Sequence, residues 1–102
     1  MRHLRIEFSP DALGQIRAVH DWWRINRPSA PDLLREELAA TLELVRSSPC
    51  AAKLYQFSTI PGLRRSLMPR TRYHLYFTFH EERALIFVHA IWHASRGHGP
   101  PL

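Results

Sequence analysis

A chain of 102 residues supports one domain with one hydrophobic core and leaves no room for a second. Hydrophobic residues at 45% and charged residues at 23% are ordinary globular proportions, which excludes a disordered or low-complexity segment. Fourteen Lys and Arg against nine Asp and Glu leave a net charge of +5, so the natural complement is acidic: nucleic acid or an acidic protein segment.

The single cysteine, Cys50, cannot make an internal disulfide, so nothing ties the chain to an oxidising compartment and the cytoplasm is the expected location. No basic start leads into an apolar run, and no apolar stretch approaches the ~20 residues of a membrane helix. A soluble protein without a membrane partner is expected.

In chain order, Leu4, Ile6 and Phe8 alternate with Arg5 and Glu7, the pattern of a short edge strand. Ser9-Pro10-Asp11 then spells a helix start: a capping hydroxyl, a proline at the first helical position and an acid at the positive helix end. Leu13, Ile16, Val19 or His20, and Trp23 recur at helical spacing, and Pro28 ends the helix by about Asn26. Ser29-Ala30-Pro31-Asp32 repeats the start signals. The second helix carries Leu34, Leu38, Leu42 and Val45 on one face, flanked by Leu33, Thr41 and Leu44. Arg35, Glu36, Glu37, Glu43 and Arg46 fill the remainder, and Ser47-Ser48-Pro49 closes it. The stretch from Cys50 to Gly62 has no period and reads as an ordered loop with room for one short strand, ending in a Pro61-Gly62 turn.

The rest is β. Leu63 to Met68 is a short run closed by Pro69. Tyr73, Leu75, Phe77 and Phe79 alternate with Arg72, His74, Tyr76, Thr78 and His80, which predicts a strand with one face in the core and one open to solvent. After the charged corner from His80 to Arg83, the apolar run from Ala84 to Trp92 is the central strand of the sheet. The predicted fold class is α+β: an N-terminal strand and a helical hairpin packed on a mostly antiparallel sheet that ends in a three-stranded meander, all in one domain over residues 1–102. The first strand is expected at a sheet edge; its direction is not fixed by the pattern.

That element order carries Pro61-Gly62-Leu63-Arg64-Arg65, then Arg72-Tyr73-His74-Leu75-Tyr76-Phe77, then Ala90-Ile91-Trp92-His93-Ala94-Ser95-Arg96 before Gly99-Pro100. Over essentially the whole chain it resembles the RelE/ParE superfamily of type II toxin–antitoxin toxins, and the ParE branch in particular. The resemblance implies a small basic toxin, neutralised by an acidic antitoxin in a toxin–antitoxin hetero-oligomer. ParE-like toxins act on DNA gyrase, whereas RelE-like toxins cut mRNA on the ribosome, so fold alone does not choose the target. A degenerate toxin that only binds its antitoxin is the third alternative.

Metal-independent RNA cleavage needs a base for the ribose hydroxyl, cations for the phosphate and an acid for the leaving oxygen. The resemblance implies that RelE-like enzymes supply these from the open sheet face and the C-terminal tail. Here His74 stands where such enzymes often carry an arginine, Ala94 stands where a second is expected, and the tail after Arg96 has no tyrosine. This favours a binder over an enzyme. The alternative, a metal-independent ribonuclease, would use His74, His93 and Arg96. His89 and His93 are four apart, about 13 Å along a strand, so no shared metal ion is expected; no cofactor is implied.

The candidate partner-binding residues are Arg64, Arg65, Arg70 and Arg72, four cations within nine residues beside an aromatic strand, together with Trp22. Charge runs commonly form a solvated face, and that reading stands beside the partner-binding one. Trp22 and Trp23 point about 100° apart on a helix, so one is expected in the core while the other either caps the helical hairpin or serves as an interface anchor.

Overall fold

In the computed structural model, which describes residues 3–102, strand β1 (Arg5–Phe8) passes into helix α1 (Pro10–Asn26) through Ser9. The Ser9 hydroxyl accepts the Ala12 N–H at 3.0 Å and donates to the His89 carbonyl at 3.1 Å, so the cap also fixes the helix to the sheet. The Arg27 N–H bonds back to the Trp23 carbonyl and Pro28 follows. Helix α2 (Leu33–Ser47) comes next; at its start the Asp32 carboxylate faces Arg35 at 3.5 Å and makes no capping bond. A short 3-10 turn (Pro49–Ala51) precedes β2 (Lys53–Leu54), β3 (Arg64–Met68), β4 (Tyr73–His80) and β5 (Leu85–His93).

The strands form one sheet in the order β1-β5-β4-β3-β2. All neighbours are antiparallel except β1, which lies at the edge and runs parallel to β5 with Arg5 opposite Leu85. The pairing of β4 with β5 shifts register between Tyr76 and Phe77, whose partners are Ala90 and Val88; His89 is the extra residue of a bulge. The architecture is the expected α+β layer.

Both helices cover one sheet face. Ala12, Leu38 and Val45 meet Met68, Leu75, Phe77, Ile86, Val88 and Ile91 in the main core, where each large side chain contributes about 1.5–3 kcal/mol. Two expectations for the helices change. Leu13 is 50% exposed, and the buried stripe of α1 instead starts at Ala12 and continues through Ile16 and Val19. Glu37, expected on the solvent side of α2, is only 8% exposed.

The second sheet face also differs from expectation. Tyr76 is buried there because the 55–62 connection and the C-terminal tail fold over it, and Thr78 is buried beside His80 and His89. Leu63, Tyr76 and Ala90 form a satellite core with Tyr55, Ile60, Trp92 and Leu102. The Trp92 Nε1–H donates to the His98 carbonyl at 2.9 Å, and Gly99 passes so close to the Tyr55 hydroxyl that no side chain fits there. These segments carry no hydrophobic period, so the alternation of β4 alone could not reveal what covers it.

Candidate partner-binding site

The site is built on the turn between β3 and β4. The Glu37 carboxylate, reaching from α2, accepts the Arg70 N–H at 2.7 Å, the Thr71 N–H at 2.8 Å and the Thr71 hydroxyl at 2.7 Å. Three bonds to one buried charge make a strong clamp. The next residue, Arg72, is held with φ at 69°, a left-handed conformation that non-glycine residues rarely adopt. Its N–H bonds to the Met68 carbonyl and its own carbonyl accepts the Ala94 N–H at 2.7 Å, which ties the turn to the end of β5.

This turn forms one wall of an open groove of about 740 Å³, between the C-terminal end of α1 and the end of the sheet. Trp22 and Trp23 line it from α1 and Arg27 from its C-cap, Arg70 and Arg72 from the turn, Tyr73 and His93 from the strands, and Arg96 from the segment after β5. Trp22 is 46% exposed and stands edge-on to Trp23; the Arg27 guanidinium lies 5.2 Å from its ring centre. Arg96 covers Trp92 at 4.1 Å. Stacking of this kind orients a guanidinium while leaving its N–H edges free. The His93 ring meets Tyr73 edge-on, and its Nδ1 accepts from the Ser95 N–H at 3.1 Å, which places the proton of the neutral ring on Nε2. Among the described residues no carboxylate lines the groove.

Of the residues singled out in the sequence, the fold therefore gathers Trp22, Arg70, Arg72, His93 and Arg96. Arg65 and His74 lie on the second sheet face. There Arg65 sits 5.1 Å from the Tyr55 ring centre and opposite Tyr76, whose phenol is pushed up by burial against the opposing influence of Arg65. Arg64 points to the other face and donates to the carbonyls of Ala52 at 2.7 Å and Cys50 at 3.3 Å. Its charge is used to hold the 3-10 turn. Arg64→Ala is accordingly expected to cost about 1 kcal/mol in urea unfolding while leaving partner affinity within twofold; a weakened partner with unchanged stability would reverse that assignment. Sequence analysis missed Arg27 and Glu37. The spacing Leu34, Glu37, Leu38, Thr41, Val45 is itself a buried helical stripe, and a carboxylate within it indicates a buried partner.

No protein-family model and no curated protein matches the chain. Solved structures match in shape. A chain of the chromosomal ParDE toxin–antitoxin system from P. aeruginosa superposes with a TM-score of 0.71 at 13% identity, covering 91% of this chain and 98% of the other. The isolated E. coli RelE toxin gives 0.64 at 22% identity over 94% and 88%. A chain of the intact E. coli RelBE complex gives 0.63 at 23% identity over 93% and 100%. This chain has the RelE/ParE toxin fold. At such identities the likeness carries architecture and leaves chemistry to the individual side chains.

On this RelE/ParE scaffold the histidines take distinct places. His80 and His89 both point Nε2 at the Thr78 hydroxyl, at 2.8 and 3.0 Å, so the hydroxyl donates to one ring and accepts from the other. His89 thus takes a side-chain partner across the bulge. Among the described residues no three His, Cys, Asp or Glu side chains gather to hold a metal ion, and no helix is long and apolar enough to cross a membrane.

Two imidazoles are held below their ordinary range. Burial lowers both, reinforced at His74 by Arg65 and Arg72 and at His89 by His80. Such groups bind protons more readily in the unfolded chain, so their contribution is complete above the ordinary imidazole value of 6.5 and is lost as pH falls through it toward the lower folded values. The urea midpoint is expected to fall between about pH 7.5 and pH 5, and less steeply in a His74→Asn/His89→Asn variant. Identical slopes in the two proteins would remove these histidines from the pH dependence.

Proposed function

We propose that the protein is the toxin of a type II toxin–antitoxin pair, that an acidic antitoxin neutralises it, and that it arrests growth in the ParE manner, by poisoning DNA gyrase. The observation carrying the acidic partner is the groove of Arg27, Arg70, Arg72 and Arg96 around Trp22, with no carboxylate in its lining among the described residues. Arginines held by aromatic rings and by a clamped turn are preorganised for carboxylates, which saves the ordering cost that flexible cations incur on binding. The ParE manner is supported by the overlap with the ParDE chain, nearly complete on both sides, and by the alanine at position 94 and the tyrosine-free tail after Arg96.

A second reading rests on His74. A histidine kept neutral beside Arg65 and Arg72 has the ingredients of a general base next to a phosphate clamp, as ribosome-dependent mRNA cleavage requires. Pulse labelling after induced expression without antitoxin separates the two. Arrest of DNA synthesis while translation continues is the expected result. Arrest of translation within minutes, with replication continuing, would overturn it in favour of the endonuclease and direct mutagenesis to His74, His93 and Arg96. Persistence of both syntheses would leave a protein that only binds its antitoxin.

A further inference from the structure

We propose that His80 and His89, converging on the Thr78 hydroxyl, form a two-imidazole site for a divalent late transition-metal ion of the Zn²⁺, Ni²⁺ and Cu²⁺ class. None of these residues lines the arginine groove, and none has a part in the antitoxin, gyrase or endonuclease readings.

The strands bring the two rings together. Thr78 and His80 lie two apart on β4 and so share a sheet face, with Phe87 opposite Thr78 and Leu85 opposite His80 on β5. Tyr76 has Ala90 as its partner, so the bulge leaves His89 with no residue directly across from it, and its ring leans toward Thr78. Two contacts hold it there. The Ser9 hydroxyl fixes the His89 carbonyl at 3.1 Å, and the Phe87 ring stands edge-on to the imidazole with centres 4.9 Å apart. His80 is set at the end of β4 by the Glu81–Arg83 turn that follows it. His93, on the same strand as His89, is too far along it to share an ion; His80 is the partner that the neighbouring strand supplies.

Both rings present Nε2, at 2.8 Å from His80 and 3.0 Å from His89, to a hydroxyl that is itself buried. With those two bonds end to end the nitrogens stand 5.8 Å apart, and any bend at the hydroxyl brings them closer. A tetrahedral ion with metal–nitrogen bonds of about 2.0–2.1 Å needs them about 3.4 Å apart. The broad χ2 torsion of histidine lets the rings close the remainder. Because the hydroxyl donates to one ring and accepts from the other, one Nε2 already carries a lone pair; the second ring passes its proton to Nδ1 through solvent and stays neutral. Imidazole suits Zn²⁺, Ni²⁺ and Cu²⁺ better than it suits the harder oxygen-seeking ions. The remaining positions go to water. Glu7, across Phe87 on β1, is held by Arg5 at 3.2 Å, and among the described residues no third His, Cys, Asp or Glu joins the pair. Two imidazoles give an affinity of about 10–100 µM, far below that of a four-ligand structural zinc site.

Zn²⁺ titrated calorimetrically into the untagged full chain is expected to bind at one equivalent. His80→Asn and His89→Asn should each weaken it more than about tenfold, since either leaves a lone imidazole, while His98→Asn binds as wild type. In amide spectra of the wild-type chain, substoichiometric Cu²⁺ should broaden the signals of His80, His89 and Phe87 first, a readout that depends on no variant's folding. The proposal is overturned if Zn²⁺ shows no saturable binding at about millimolar concentration. It is equally overturned if both single substitutions in folded proteins cost less than about threefold, or if the Cu²⁺ broadening centres on His20, His93 or His98. None of these outcomes bears on antitoxin binding or on which synthesis stops first in cells, so the two readings fail independently.

Discussion

Glu37→Ala is expected to destabilise the protein by about 3 kcal/mol, a drop of about 15 °C in thermal midpoint for a domain of this size. The substitution strands two backbone N–H groups and a buried hydroxyl that now share one carboxylate at 2.7 to 2.8 Å. A charged acceptor contributes about 1.5–3 kcal/mol per bond, offset by the desolvation of the carboxylate itself and by water reaching the opened turn. Glu36→Ala, one residue away on the exposed face, should shift the midpoint by less than about 0.5 kcal/mol. Glu37→Gln should fall between, since the amide keeps one acceptor oxygen. A Glu37→Ala protein that melts with wild type would mean that the turn is held by something else.

Removing Arg27, Arg70 and Arg72 together is expected to weaken antitoxin binding about 100-fold, from about 1 kcal/mol for each preorganised arginine–carboxylate contact. Arg64 is left in place because its guanidinium holds the carbonyls of Cys50 and Ala52. Calorimetric titration with the purified antitoxin, at low and high salt, checks both size and origin. The loss should shrink as salt screens the wild-type contacts. A folded triple variant with wild-type affinity would remove the arginine surface from antitoxin recognition.

The elements were legible because their signals are local. Ser9 and Pro10 start α1 and Pro28 stops it, where periodicity and capping chemistry place them. The alternation from Tyr73 to Phe79 places β4, and the polar corner before Leu85 places the hairpin. What covers the second sheet face was not legible: Tyr55, Ile60 and Leu102 come from segments without a period, and their contacts with Tyr76 are tertiary. The same holds for the site. The four arginines were found as a run, yet the fold sends Arg64 to a backbone-holding role, Arg65 to the second face, and only Arg70 and Arg72 to the groove. Arg27 is brought to them from 43 residues earlier by the packing of α1 on the sheet, which no spacing in the chain encodes.

The parallel pairing of β1 with β5 has a kinetic consequence. Arg5 meets Leu85, and the Ser9 cap is completed by the His89 carbonyl, 80 positions away. β1 thus has nothing to pair with until β5, the last strand in chain order, has emerged, and closing that loop puts a high contact order on the folding path. Folding should consequently be slow for a domain of this size, and the protein should gain its finished surface only after β5 has been synthesised.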